Sequence, residues 1–139
     1  MIKKEPVTTI MTEHVVTLKI NDSLEKAEKL FKRHHIRHIP VVSGKSIIGM
    51  LSYTDLLRIS FADSAFEDED YVESIVYNMF SIEQVMVKKI ISVKPSTSIK
   101  EVAEILTKSE FHALPVVENN TLLGIVTSTD LINYLLKQF

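Results

Sequence analysis

The chain has 139 residues, 45% of them hydrophobic and 24% charged, with a formal net charge of −2 and no cysteine. That is the balance of an ordinary globular protein, long enough for one domain or two small subdomains sharing a core. It excludes a disulfide framework, thiolate metal sites and cysteine nucleophiles, and no apolar run approaches the ~20 residues that cross a bilayer.

The charge is unevenly spread. Residues 1–58 carry ten Lys/Arg against six Asp/Glu, whereas residues 59–84 carry seven acids and no base. No basic stripe interleaved with aromatics marks a nucleic-acid surface. The N-terminus lacks the apolar core of a secretory signal. The expectation is a cytoplasmic protein with neither nucleic acid nor membrane as partner.

In chain order, Val15-Val16-Thr17-Leu18 is a β-branched run that predicts a first strand. Asn21-Asp22-Ser23 offers caps for a helix near residues 23–35. Leu24, Ala27, Leu30 and Phe31 share one face of it, and Lys26, Lys29, Lys32 and Arg33 fill the wet face. Ile39-Pro40-Val41-Val42 predicts a buried strand with Pro40 at its start or at an edge, because proline cannot donate to a ladder. Ser43-Gly44-Lys45 is turn chemistry, so this strand and residues 46–52 should form a hairpin. A further helix is expected from about Thr54.

The pattern then recurs. Residues 10–59 align with residues 85–134 at a constant offset of 75, without insertion or deletion. Met11/Met86, Ser23/Ser98, Pro40/Pro115, Gly49/Gly124, Thr54/Thr129 and Asp55/Asp130 are among the identities. The second copy predicts a strand at Ile90–Val93 and a helix after Ser96-Thr97-Ser98, with Ile99, Val102, Ala103, Ile105 and Leu106 inward. A hairpin turning at Glu118-Asn119-Asn120 and a last helix carrying Leu131, Ile132, Leu135 and Leu136 complete it. Some 50 residues cannot close a core alone, so the copies should pack together about a pseudo-two-fold axis and leave a cleft between them. The organisation expected is repeat 1 over residues 1–60, an acidic, helical linker over 61–80 and repeat 2 over 81–139. Val72, Ile75, Val76, Met79 and Phe80 give the linker an apolar stripe.

Chemistry is expected where each hairpin ends and a helix opens: Ser52-Tyr53-Thr54-Asp55 and Thr127-Ser128-Thr129-Asp130. The free N–H groups of a helix start attract anions, hydroxyls add donors, and a carboxylate can accept both hydrogen bonds of a vicinal diol such as ribose. The same Ser/Thr-x-x-Asp spacing also builds a capping box, a purely structural reading. His34 and His38 are spaced as a helical metal pair, but the helix should end near His35, so they would not share a face. Without a nearby carboxylate or Cys, no metal site is expected. No Gly-rich phosphate loop, nucleophile elbow or Ser/His/Asp set is present, so the chain is not expected to be an enzyme.

The ordered set of motifs resembles the CBS domain. It comprises Met11-Thr12, Val16-Thr17-Leu18, Ile36-Arg37-His38-Ile39-Pro40-Val41-Val42 and Gly49-x-x-Ser52-x-x-Asp55. It recurs as Met86, Ile91-Ser92-Val93-Lys94-Pro95, Phe111-His112-Ala113-Leu114-Pro115-Val116-Val117 and Gly124-x-x-Thr127-x-x-Asp130. The likeness spans everything but the linker and a short N-terminal stretch. It implies an α/β (α+β) fold of two β-α-β-β-α repeats, a tandem pair often called a Bateman module. By that resemblance the ligand is an adenine nucleotide (AMP, ADP or ATP, with Mg2+ if ATP) or S-adenosylmethionine, and no resident cofactor is expected. Asp55 and Asp130 would hold ribose, with Ser52, Thr54, Thr127 and Thr129 near ribose or phosphate. Thr17, Ser92, Ile39-Pro40 and Leu114-Pro115 would line the adenine slot. Arg37, His38 and His112 would reach phosphates, and with Ala113 in place of His38 the second copy offers fewer cations. A homodimer burying helix faces near Leu56, Leu57, Leu131 and Leu135, regulating a protein partner in trans, is the implied assembly. The alternative is a ligand-free structural or dimerisation module.

Overall fold

The computed structural model describes residues 5–61, 77, 79–109 and 111–139. The acidic stretch and most of the linker stripe, including Val72, Ile75 and Val76, lie outside these residues. The chain divides into two compact units, and the division cuts across the repeats. One unit is Val16–Ile90; the other joins Met1–Val15 to Ile91–Phe139. Each unit thus combines the body of one repeat with the leading segment of the other.

In the Val16–Ile90 unit, β1 (Leu18–Lys19) runs parallel to β2 (His38–Ser43), which is antiparallel to β3 (Ser46–Ser52). The strand expected over Val15–Leu18 is found instead at Leu18–Lys19, the two residues that have ladder partners, Val41 and Val42. Between β1 and β2 lies α1 (Leu24–His34). Ser23 caps it by accepting from the Lys26 N–H, and Lys32, Arg33 and His34 occupy its last turn, where cations suit the helix dipole. His35 ends it in the left-handed region at φ 53°, so His34 and His38 stand on different elements. Leu24, Ala27 and Phe31 are buried and Leu30 half-buried, as the periodicity predicts. The hairpin turns at Gly44, whose φ of +62° suits glycine. The helix α2 (Tyr53–Phe61) follows β3 directly.

Pro40 lies inside β2, opposite Met50, rather than at its start or at an edge. Met50 exchanges both backbone bonds with Val87, at 3.0 and 2.9 Å. It therefore makes a non-hydrogen-bonded pair with Pro40. The missing proline N–H then falls on the β1 side, where pairing begins only at Val41.

Ile82 and Met86, from the leading segment of the second repeat, join Leu18, Leu24, Phe31, Ile39, Leu51 and Leu56 in this unit's core. They sit on and just after α3 (Ile82–Val85), whose capping box pairs Ser81 with Gln84. Phe31 meets Tyr53 edge to face at 5.2 Å, a favoured ring geometry. Tyr77, from the linker, is also buried here, and its hydroxyl donates to the Glu28 carboxylate.

The other unit repeats these relations at the offset of 75. Its helix α4 (Ile99–Lys108) is capped by Ser98, and Ile99, Val102 and Leu106 are buried. Its hairpin comprises β4 (Ala113–Glu118) and β5 (Thr121–Thr127). Asn119 and Asn120 both take positive φ, the signature of a type I′ turn. The strand expected at Ile90–Val93 contracts to a single parallel bridge, Val93 to Val116. Pro115 faces Ile125, which exchanges both bonds with Thr12. Val7, in a short 3-10 turn (Val7–Thr9), enters the core beside Val93, Val102, Leu114, Val116 and Val126. The last helix, α5 (Ser128–Leu136), buries no residue completely.

One sequence expectation changes. Leu56 is fully enclosed in its own unit's core, so it cannot contribute to a dimer face. Gly49 and Gly124 make room for the leading segments. A Cβ on Gly49 would lie 2.3 Å from Met86 Sδ; one on Gly124 would lie 2.7 Å from the Thr12 carbonyl oxygen and 2.8 Å from Met11 Sδ.

Candidate functional site

In the Val16–Ile90 unit the strand register gathers the candidate residues at one end of the sheet. His38, the first residue of β2, pairs with Ser52, the last of β3. Because β1 is parallel to β2 and starts opposite Val41, Thr17 precedes it at the same end. Tyr53 N–H donates to the Arg37 carbonyl at 2.8 Å, locking the start of α2 against the approach to β2. Arg37 and Thr54 are exposed; Thr17, His38, Ser52 and Asp55 are half-buried. Ile39 is wholly enclosed, so it holds its neighbours in place rather than presenting surface, and Pro40 is buried beside it.

The hydroxyl and the carboxylate at this end have defined partners. Ser52 Oγ accepts from the Asp55 N–H at 3.0 Å. The Asp55 carboxylate lies 3.5 Å from Arg58 Nη1, and the Arg58 side chain is 75% exposed. Sequence reading did not single out Arg58; the signal available was its i+3 spacing from Asp55.

In the second-repeat unit, Ala113 pairs with Thr127, and Ser128 N–H donates to the His112 carbonyl at 2.9 Å. Ser92 precedes Val93, whose N–H donates to the Pro115 carbonyl at 3.0 Å. Ser92, His112 and Thr129 are exposed, Thr127 and Asp130 half-buried, and Leu114 and Pro115 buried. Here the capping box closes fully. Thr127 Oγ1 accepts from the Asp130 N–H at 3.1 Å, and Asp130 Oδ2 accepts from the Thr127 N–H at 2.9 Å. Capping and ligand binding are compatible, because a carboxylate offers about four lone-pair sites and this box uses one of them.

Among the described residues no group of three or more His, Asp or Glu could hold a metal ion. None of the described helices is long and apolar enough to cross a membrane.

Each unit thus carries, at one sheet end, a hydroxyl-capped helix start with a half-buried carboxylate and a buried proline beside it. Comparison with known proteins identifies the family and the fold. The CBS domain family model matches residues 7–62 and again residues 82–137. The chain is 26% identical over 133 residues to the protein MJ1225 of Methanocaldococcus jannaschii, covering 95% of this chain and 48% of that one. It spans about half the length, or less, of the first curated relatives it matches. The CBS domain pair of protein MJ0100, solved with 5′-methylthioadenosine and S-adenosyl-L-methionine, shares the fold. It is 23% identical with a TM-score of 0.82, and the match covers 99% of this chain and 100% of that one. CBSX2 in complex with AMP is 21% identical with a TM-score of 0.79, covering 96% and 98%. A family match over both copies of a 75-residue-offset repeat, on a fold shared with solved CBS pairs, identifies the chain as a tandem pair of CBS domains.

Proposed function

We propose that this CBS pair is a regulatory module that binds adenosine-containing ligands at the paired sheet ends and transmits occupancy to a protein partner. The observation that carries the reading is the half-buried Asp55 beside Ser52 and Thr54, repeated as Asp130 beside Thr127 and Thr129. A carboxylate with free acceptor sites suits the two hydroxyls of a ribose. Thr17 and Ser92 lie at the same sheet ends as the prolines and would flank a base; Arg37 would supply a cation for phosphate, with His38 and His112 as further hydrogen-bonding groups. MJ0100 and CBSX2, which share the fold, hold S-adenosyl-L-methionine, methylthioadenosine or AMP, and that supports the ligand class. ADP or ATP, the latter with Mg2+, belongs to the same class.

Regulation requires that the ligand bind one conformation more tightly than another. Calorimetry with AMP, ATP and S-adenosylmethionine tests the reading: saturable heat with at least one is expected. A folded protein that gives no heat with any of them would leave the ligand-free structural module as the better account.

A homodimer is part of the proposal. Ile132, Leu135 and Leu136 on α5 are 57%, 55% and 65% exposed, an apolar stripe at i, i+3 and i+4 suited to a second copy. Sedimentation velocity should show a dimer that Leu135→Lys converts to monomer.

A further inference from the structure

The offset of 75 permits a position-by-position comparison of the two ribose motifs, and their charges differ. Arg37, His38 and Arg58 of the first copy correspond to His112, Ala113 and Asn133 of the second. Thr54/Thr129 and Asp55/Asp130 are kept, and Ser52/Thr127 keeps its hydroxyl, while two fixed cations and one histidine are reduced to a single histidine. The local geometry differs in the same sense. Asp55 is in ion-pair contact with Arg58 at 3.5 Å. Asp130, with Asn133 at the matching position, closes its own capping box instead.

We infer that the two copies divide the ligand class: the first-repeat site takes a phosphorylated adenosine, the second an adenosine without phosphate, and Arg58 is a residue that sets this difference. The inference rests on the ribose reading above and adds its specificity. Arg58 is well placed for the task. Its guanidinium is mostly in solvent, and an exposed ion pair of this kind is weak, so it is released readily. A phosphate entering beside Asp55 gains a planar, permanently charged fork that can donate two parallel hydrogen bonds. Asn133 offers one neutral amide in the same place, and Ala113 offers nothing. The second copy therefore keeps only His112 to meet a phosphate and no fixed cation, whereas an uncharged adenosine loses nothing by that absence.

The test is titration of the full chain with AMP and with adenosine under one buffer and salt condition. Wild type should bind AMP at one site per chain more tightly than adenosine, and that preference should weaken with added salt. Arg58→Asn should weaken AMP roughly tenfold, the effect of one charge-assisted contact, and leave adenosine unchanged. Arg58→Lys should restore part of the loss, and Asn133→Arg should create a second AMP site. Arg58 is exposed, and a melting temperature equal to wild type verifies folding of the variant. If Arg58→Asn leaves the AMP-to-adenosine ratio unchanged while both still bind, the division is overturned and the ribose reading stands. If neither compound binds wild type, the ribose reading fails and takes this inference with it.

Discussion

Gly124 has a backbone oxygen where a Cβ would go, and Gly49 has the end of a methionine side chain. The difference sets an order of damage. Gly124→Ala should cost about 1–3 kcal/mol, the range for overpacking, because the Thr12 carbonyl is tied into a two-bond bridge with Ile125. Gly49→Ala should cost less, since Met86 Sδ can swing aside at the price of a rotamer. Urea unfolding of the two variants gives the comparison; an equal loss contradicts it. At Asp22, partial burial raises the carboxyl pKa, but the Lys19 N–H at 2.8 Å and Lys26 Nζ at 3.2 Å outweigh it and hold the pKa below its ordinary 3.8. A depressed folded pKa gives stability that is complete above the unfolded value and drains as pH falls through the folded one. Wild type should therefore exceed Asp22→Asn in stability at neutral pH and lose that lead below about pH 3.8. A lead that persists at lower pH contradicts the ion-pair account.

The elements that could be read from the sequence are those whose signals are local. Ser23 and Ser98 cap the helices expected of them, and the apolar faces of α1 and α4 are buried as their spacing predicts. Both hairpins turn at the Gly and Asn residues that tolerate left-handed backbone. Ser98→Ala should cost about 1 kcal/mol of stability, visible as a lower urea midpoint with unchanged slope; no change would mean that another group satisfies the Glu101 N–H. The strands expected at Val15–Leu18 and Ile90–Val93 are shorter because a ladder forms only where the chain comes alongside a partner, here at Val41, Val42 and Val116. Pro40 and Pro115 illustrate the same limit. Composition places a proline at an edge, whereas register places it where no donor is needed. The candidate site was legible as a motif, down to Asp55 and Asp130. Tyr77 was not, because its partner Glu28, 49 residues away, is fixed by the fold; Arg58 was missed although its i+3 spacing from Asp55 is local.

Over the whole molecule, the repeat sets composition and the packing units reassign its parts. Val7 and Ile82, equivalent at the offset of 75, are both fully enclosed, each in the unit built on the other repeat's body. Ile82→Ala should cost about 2–5 kcal/mol, although the residue lies outside the repeat whose core it fills. The proposed function depends on the paired carboxylates. The most direct test is thermal unfolding of wild type and of an Asp55→Asn/Asp130→Asn double variant, each with and without excess AMP or adenosine. Asparagine keeps a carbonyl acceptor for the capping bond, so the unliganded melting temperatures should nearly agree. Ligand at about a hundredfold over Kd should stabilise wild type by about 2.7 kcal/mol and leave the double variant unmoved. An equal upward shift in both proteins, or no shift in wild type with either compound, would contradict the assignment of Asp55 and Asp130 to ribose binding.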